Sequence, residues 1–183
     1  MTIATLDPRP ALLVIDLQSG TLANPTAHPT ETIVANAREL IGAFRTRGLP
    51  VVLARVDGTP GGRTDYGGGA REFPSAFAEL APALDPQPTD IIVTRRTWSA
   101  FAGTDLDATL AALDVTQVVI VGVATSFGVE STARHAYDHG YTVTLATDAM
   151  TDPRAEAHDN SVTRIFPALG ETGSTAQVIA ALR

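Results

Sequence analysis

The chain has 183 residues, 13 basic against 20 acidic side chains, a net charge of −7 and no cysteine. All the basic residues are arginine, so disulfides, thiolate nucleophiles, zinc–thiolate centres, Schiff-base lysines and P-loop chemistry are excluded. No cluster of arginines stands out to neutralise phosphates, which argues against nucleic acid and anionic membranes as partners.

The length suits one domain over residues 1–183, large enough to bury a core without staples. The first apolar run, ALLVID (11–16), ends in a charge and is too short for a signal or membrane segment, so a cytoplasmic protein is expected. Residues 30–47 place Ile33, Val34, Ala37, Leu40, Ile41 and Phe44 on one helical stripe, closed by Gly48. PVVLARV (50–56) reads as a second strand. The following DGTPGGRTDYGGGAREF (57–73) reads as a loop, either plain surface or the wall of a pocket.

DIIVTR (90–95), QVVIVGV (117–123) and YTVTLAT (141–147) are further strands. Their near-continuous apolar character fits burial on both faces. Helices are expected over 104–113, 129–139, 153–169 and 174–182, the third of these with Asp152 as a cap and Pro153 in its first turn. Alternating strands and helices give a three-layer α/β/α fold around a doubly wound parallel sheet of five to six strands. Ligands of such folds bind beyond the carboxyl ends of the strands. The residues there are Asp16, Asp57, Arg95, the turn 123–128 and Asp148.

Three of these segments, VIDLQ, RRTWSAFAGTDLDATL and GVATSFGVESTARHAYDHGY, followed by TLATDAMTD, together resemble the isochorismatase-like (cysteine hydrolase) family over nearly the whole chain. The resemblance implies that Asp16, Arg95 and Gly128 occupy the positions of that family's catalytic aspartate, lysine and cysteine. It implies oxyanion-type amides at Ala124 and Gly128, and a non-proline cis peptide between Val123 and Ala124. It also implies assembly as a homo-oligomer. Two of the three triad positions are changed, so thioester chemistry is excluded.

The reading that follows is a hydrolase without a cysteine nucleophile, acting on a small, anionic or enol-ether substrate by acid–base chemistry of Asp16 with water. The alternative is a non-catalytic relative that binds a small molecule or acts through assembly. Asp16 as an acid needs its pKa raised by burial, whereas pairing with Arg95 lowers it. Arg95 either keeps the lysine's charge in a lysine-free chain or clamps a carboxylate. Gly128 either leaves room for water and substrate or is a packing glycine. Trp98, Phe101 and Tyr66 are aromatic candidates for pocket walls, with core or interface positions as the alternative. Arg63 is a candidate for a substrate carboxylate, or else solvated. Thr125 is a hydroxyl within the turn, away from the nucleophile position but a candidate for substrate binding. His135 and His139 have i, i+4 metal-binding spacing but read as a helix face; no metal and no cofactor is expected.

Overall fold

A computed structural model describes Ile3 and residues 5–182. Six strands form one sheet: β1 (Pro10–Ile15), β2 (Val51–Val56), β3 (Ile91–Arg95), β4 (Gln117–Val123), β5 (Thr142–Thr151) and β6 (Glu171–Gly173). Every pairing is parallel, and the strand order is β6-β5-β4-β1-β2-β3. The chain therefore winds outward in both directions from β1, which puts the switch point between β1 and β4, where a ligand crevice opens in such sheets.

The two faces bury alternate residues of each strand. Leu12, Val14, Leu53, Val119 and Val121 pack under α1 (Thr30–Thr46), which contributes Ile33, Ala37, Leu40, Ile41 and Phe44. Leu13, Ile15, Val52, Ala54, Val118 and Ile120 pack on the other face, against Leu106 and Leu110 of α2 (Leu106–Ala112) and Ala133 and Ala136 of α3 (Glu130–Asp138). β1 and β4 are buried along their whole length. Each fully buried Val, Leu or Ile contributes about 1.5–3 kcal/mol, so the central strands are the best-anchored part of the molecule.

The expected helix over 153–169 is interrupted. It consists of α4 (Ala155–Asn160), a widened π turn over Ser161–Ile165, and α5 (Phe166–Leu169). Pro167 falls early in the last piece, where its missing N–H disturbs the regular ladder. Strand β6 was not expected: three residues with a terminal glycine carry no apolar run. The helix expected over 174–182 is α6 (Thr175–Ala181), and Ser174 and Gln177 form a reciprocal capping box at its start. The glycine-rich stretch folds into two short antiparallel ladders, Gly58–Thr59 with Arg71–Glu72 and Arg63–Thr64 with Gly67–Gly68. Strand β5 runs on past Thr147, so Asp148 is not at a strand end; its carboxylate accepts from the Thr175 N–H and hydroxyl instead. Among the described residues, no helix is long and apolar enough to cross a membrane.

Candidate active site

Asp16 follows β1 directly and takes a left-handed backbone, with φ of 50°. Aspartate tolerates this region better than bulkier residues do. The backbone is held by the Asp16 N–H donating to Ala54 O at 2.9 Å, and the Thr21 hydroxyl donates to Asp16 O. β2 lies between β1 and β3, so Arg95 has to reach across a strand. It does so, and donates to both carboxylate oxygens: Nη1 to Oδ1 at 2.7 Å and Nη2 to Oδ2 at 3.0 Å. Nη2 also donates to Trp98 O at 2.8 Å. Arg95 is 4 % exposed and Asp16 7 %, so this two-pronged pair is screened little by solvent. The buried Arg95 Nε has no hydrogen-bond partner.

Burial pushes the Asp16 carboxyl up from the ordinary carboxylate value, while the Arg95 hydrogen bonds and charge pull it down. Burial is the larger effect.

The turn after β4 begins at a cis peptide between Val123 and Ala124, then widens into a π turn over Thr125–Val129 that leads into α3. β4 approaches β1 closely here. Gly122 has φ of 125°, and a Cβ on it would stand 2.0 Å from Ile15 O. Gly128, by contrast, has no left-handed backbone, and its constraint is space. A Cβ there would lie 2.9 Å from Ile15 Cγ2, 3.2 Å from Asp16 Oδ2 and 3.4 Å from Arg95 Nη2. The place of a side chain at position 128 is thus closed off by Ile15 and the ion pair.

Asp16, Ala124 and Gly128 border a cavity of about 250 Å³, together with Thr97, Trp98, Val123 and Phe127. Arg95 holds Asp16 from behind and does not line it. Trp98 packs edge-on against Phe127, with centroids 4.9 Å apart, and also borders an outer cavity of about 720 Å³. Arg63 and Tyr66 line only that outer cavity, within the glycine-rich stretch. Phe101 does not wall the pocket: it is buried in the core and stacks on His139 at 5.6 Å. Thr125 is fully buried and faces away from the cavity, its hydroxyl 2.9 Å from His158 Nδ1. His135 and His139 stack on each other at 5.0 Å, with Asp107 3.4 Å from His139 Nδ1. Among the described residues, no three metal-ligating side chains converge.

Two polar residues behind the turn escaped sequence reasoning. Asp152 is fully buried and accepts from the Ser126 N–H and hydroxyl, both at 2.8 Å; its reading as a helix cap covers only the bond from Arg154 N–H at 3.1 Å. His158 is the other, and a single histidine in a helix carries no signal of burial. Arg96, which lines the cavity, was likewise not singled out; it is paired with Asp57 at 3.4 Å and Glu72 at 2.8 Å.

A buried carboxylate at the switch point, backed by a cation and facing the turn after β4, defines an α/β protein of the isochorismatase-like hydrolase fold. Residues 10–177 match the family model of the isochorismatase domain, and the chain belongs to the isochorismatase family. It is 36% identical over 185 residues to the isochorismatase family protein YecD of Escherichia coli O157:H7, covering 94% of this chain and 95% of YecD. An isochorismatase family protein of Burkholderia thailandensis superposes with a TM-score of 0.93 at 39% identity, with 97% of each chain covered. Nicotinamidase 3 of Arabidopsis thaliana is 30% identical over 158 residues, covering 81% of this chain and 76% of the enzyme. At this coarse level the chain is an isochorismatase-family hydrolase.

Proposed function

We propose that this protein hydrolyses a small enol-ether substrate, using Asp16 as the proton donor and water as the nucleophile. The observation that carries the reading is the Asp16–Arg95 pair beside Gly128. The carboxyl borders the cavity, and no thiol stands next to it. Amide hydrolysis through a covalent intermediate needs an activated nucleophile at that place, and the sequence offers none. Protonating an enol carbon needs only a positioned acid.

Burial favours the protonated form of Asp16 in the resting site. Its hydroxyl gives the proton to the enol carbon, and an oxocarbenium forms. Arg95 stabilises the carboxylate left behind through two charge-assisted hydrogen bonds. Water adds to the oxocarbenium, and its extra proton returns to Asp16. The hemiketal then collapses to a ketone and an alcohol. The amides of Ala124 and Gly128, at the cavity wall, orient the polar end of the substrate. Trp98 and Phe127 flank its apolar part. The cavity's own cation is Arg96, already paired twice, so an anionic group of the substrate is directed outward toward Arg63 and Arg71 of the outer cavity.

The test is a panel of isochorismate, nicotinamide, simple carbamoyl amides and ureas, followed by product analysis. Turnover of the enol ether without the amides supports the reading. Turnover of amides alone refutes it. No turnover with saturable binding favours the non-catalytic reading, which the locked two-pronged hold of Arg95 on Asp16 would then explain.

A further inference from the structure

The turn that carries Ala124 and Gly128 is held from behind by side chains that never reach the cavity. Thr125 and Ser126 both point toward the segment after β5. Ser126 donates twice to Asp152, and the Thr125 hydroxyl meets His158 Nδ1 at 2.9 Å. His158 is 7 % exposed. The ring of His28 lies 4.6 Å from that of His158, tilted by 60°. His28 is tied in turn to the end of β5: its N–H and Nδ1 meet Thr151 Oγ1 at 3.1 and 3.0 Å. The Ala27 N–H donates to Asp152 O at 2.8 Å. Two stretches distant from the turn in sequence, 27–28 and 151–158, therefore pack behind it, and the second touches its two adjacent residues directly.

We propose that Asp152 and His158 are positioning residues for this turn, and that the hold on Thr125 is released when His158 takes up a proton. The reading of the turn as substrate-orienting comes from the proposed function; the clamp itself does not depend on it.

Burial outweighs the charges around His158. The groups facing His158 are His28 from the segment before α1, Asp152 from the end of β5 and Asp159 from α4 itself; the turn contributes only the neutral Thr125, and Glu130 of α3 is held by Ser161 and Arg134. Burial pushes His158 below the ordinary histidine value, His28 adds to that, and the two aspartates oppose it. The imidazole is therefore neutral at neutral pH. Below that range a proton forces a cation into a buried place beside a second imidazole. The relief available is movement of the ring toward solvent, which breaks its bond to Thr125.

Hydrogen exchange followed by mass spectrometry tests this on the whole chain. Peptides covering 123–129 are compared at about pH 7.5 and about pH 5.5, spanning the histidine range, after correction for intrinsic exchange. The expected result is about tenfold weaker protection at the lower pH in the wild type, the scale of one buried hydrogen bond. His158→Gln, which stays neutral and keeps a polar end, should abolish the pH dependence. Thr125→Val should weaken protection at both pH values. Unchanged wild-type protection, or a Thr125→Val variant as protected as the wild type, overturns the proposal. Where the wild type hydrolyses isochorismate, His158→Gln should also steepen the rise of kcat toward low pH, with little change in KM. Should no hydrolysis be found, the functional reading fails while the exchange arm still decides this one.

Discussion

Installing a thiol at position 128 probes the site most sharply, because the structure sets its cost. The Cβ of Gly128→Cys would stand 2.9 Å from the Ile15 methyl, closer than carbon atoms pack, and Ile15 is fully buried. It would also crowd Asp16 Oδ2 at 3.2 Å and Arg95 Nη2 at 3.4 Å. Overpacking of this kind costs about 1–3 kcal/mol. In a chain of this length each kcal/mol lowers Tm by about 2–4 °C, so a drop of about 2–12 °C is expected. Arg95→Lys removes the Nη2 atom and restores a group able to carry a proton. The double variant should then recover part of the lost Tm and hydrolyse nicotinamide or carbamoyl amides faster than either single variant. Such non-additivity marks residues that act as one unit. The assay is a double-mutant cycle read by thermal melting and by amide hydrolysis. A Gly128→Cys variant as stable as the wild type, and as active as the double, would refute the argument that the ion pair holds the thiol's place.

Other outcomes follow from the same geometry. Asp16→Asn turns one of the two acceptors of Arg95 into a donor and leaves a buried N–H unpaired, which costs about 1–3 kcal/mol and lowers Tm by about 2–12 °C. A melting temperature equal to that of the wild type would show that the pair carries little stability. Gly122→Ala pushes a Cβ into the backbone of Ile15 at a positive φ and should cost about 4 kcal/mol or more, read by chemical denaturation. The lowered His158 pKa makes the unfolded chain bind more protons than the folded one below about pH 6.5, so this residue's contribution to stability is lost as pH falls through that range. His158→Gln should flatten that part of the stability–pH curve measured by denaturant titration; an unchanged curve would contradict the assignment.

How much of this was legible in the sequence depended on whether the signal was local. The five longer strands and α1 announced themselves through runs and stripes of apolar residues, and their ends include Asp16, Arg95 and the turn after β4, which the fold brings together. Strand β6 has no such run, and it forms only because β5 offers it an edge. The pairing of Arg95 with Asp16 was legible from the strand ends, but its form was not. Nothing in VTRR says that the guanidinium meets Asp16 with both nitrogens, or that it stands against position 128. Phe101 looked like a pocket wall because it is aromatic and follows a strand end, but burial on the α2–α3 side claimed it. Asp152 read as a helix cap, but Arg154 is the cap residue and Asp152 accepts only the Arg154 N–H just ahead of the helix. Its bonds to Ser126 span 26 residues and depend on tertiary packing, as does the burial of His158. Arg63 followed the outer cavity, because the glycine-rich stretch folds back on itself in short ladders.

The central claim is that the Asp16 carboxyl gives the proton, and the pH–rate profile of enol-ether hydrolysis tests it most directly. Isochorismate turnover by the wild type should rise as pH falls, because the raised carboxyl is increasingly protonated in that direction. Asp16→Asn should lose at least about a hundredfold in kcat at every pH, the scale of positioned general-acid catalysis. A wild-type rate that rises with pH, or an Asn variant that keeps its rate, would contradict it.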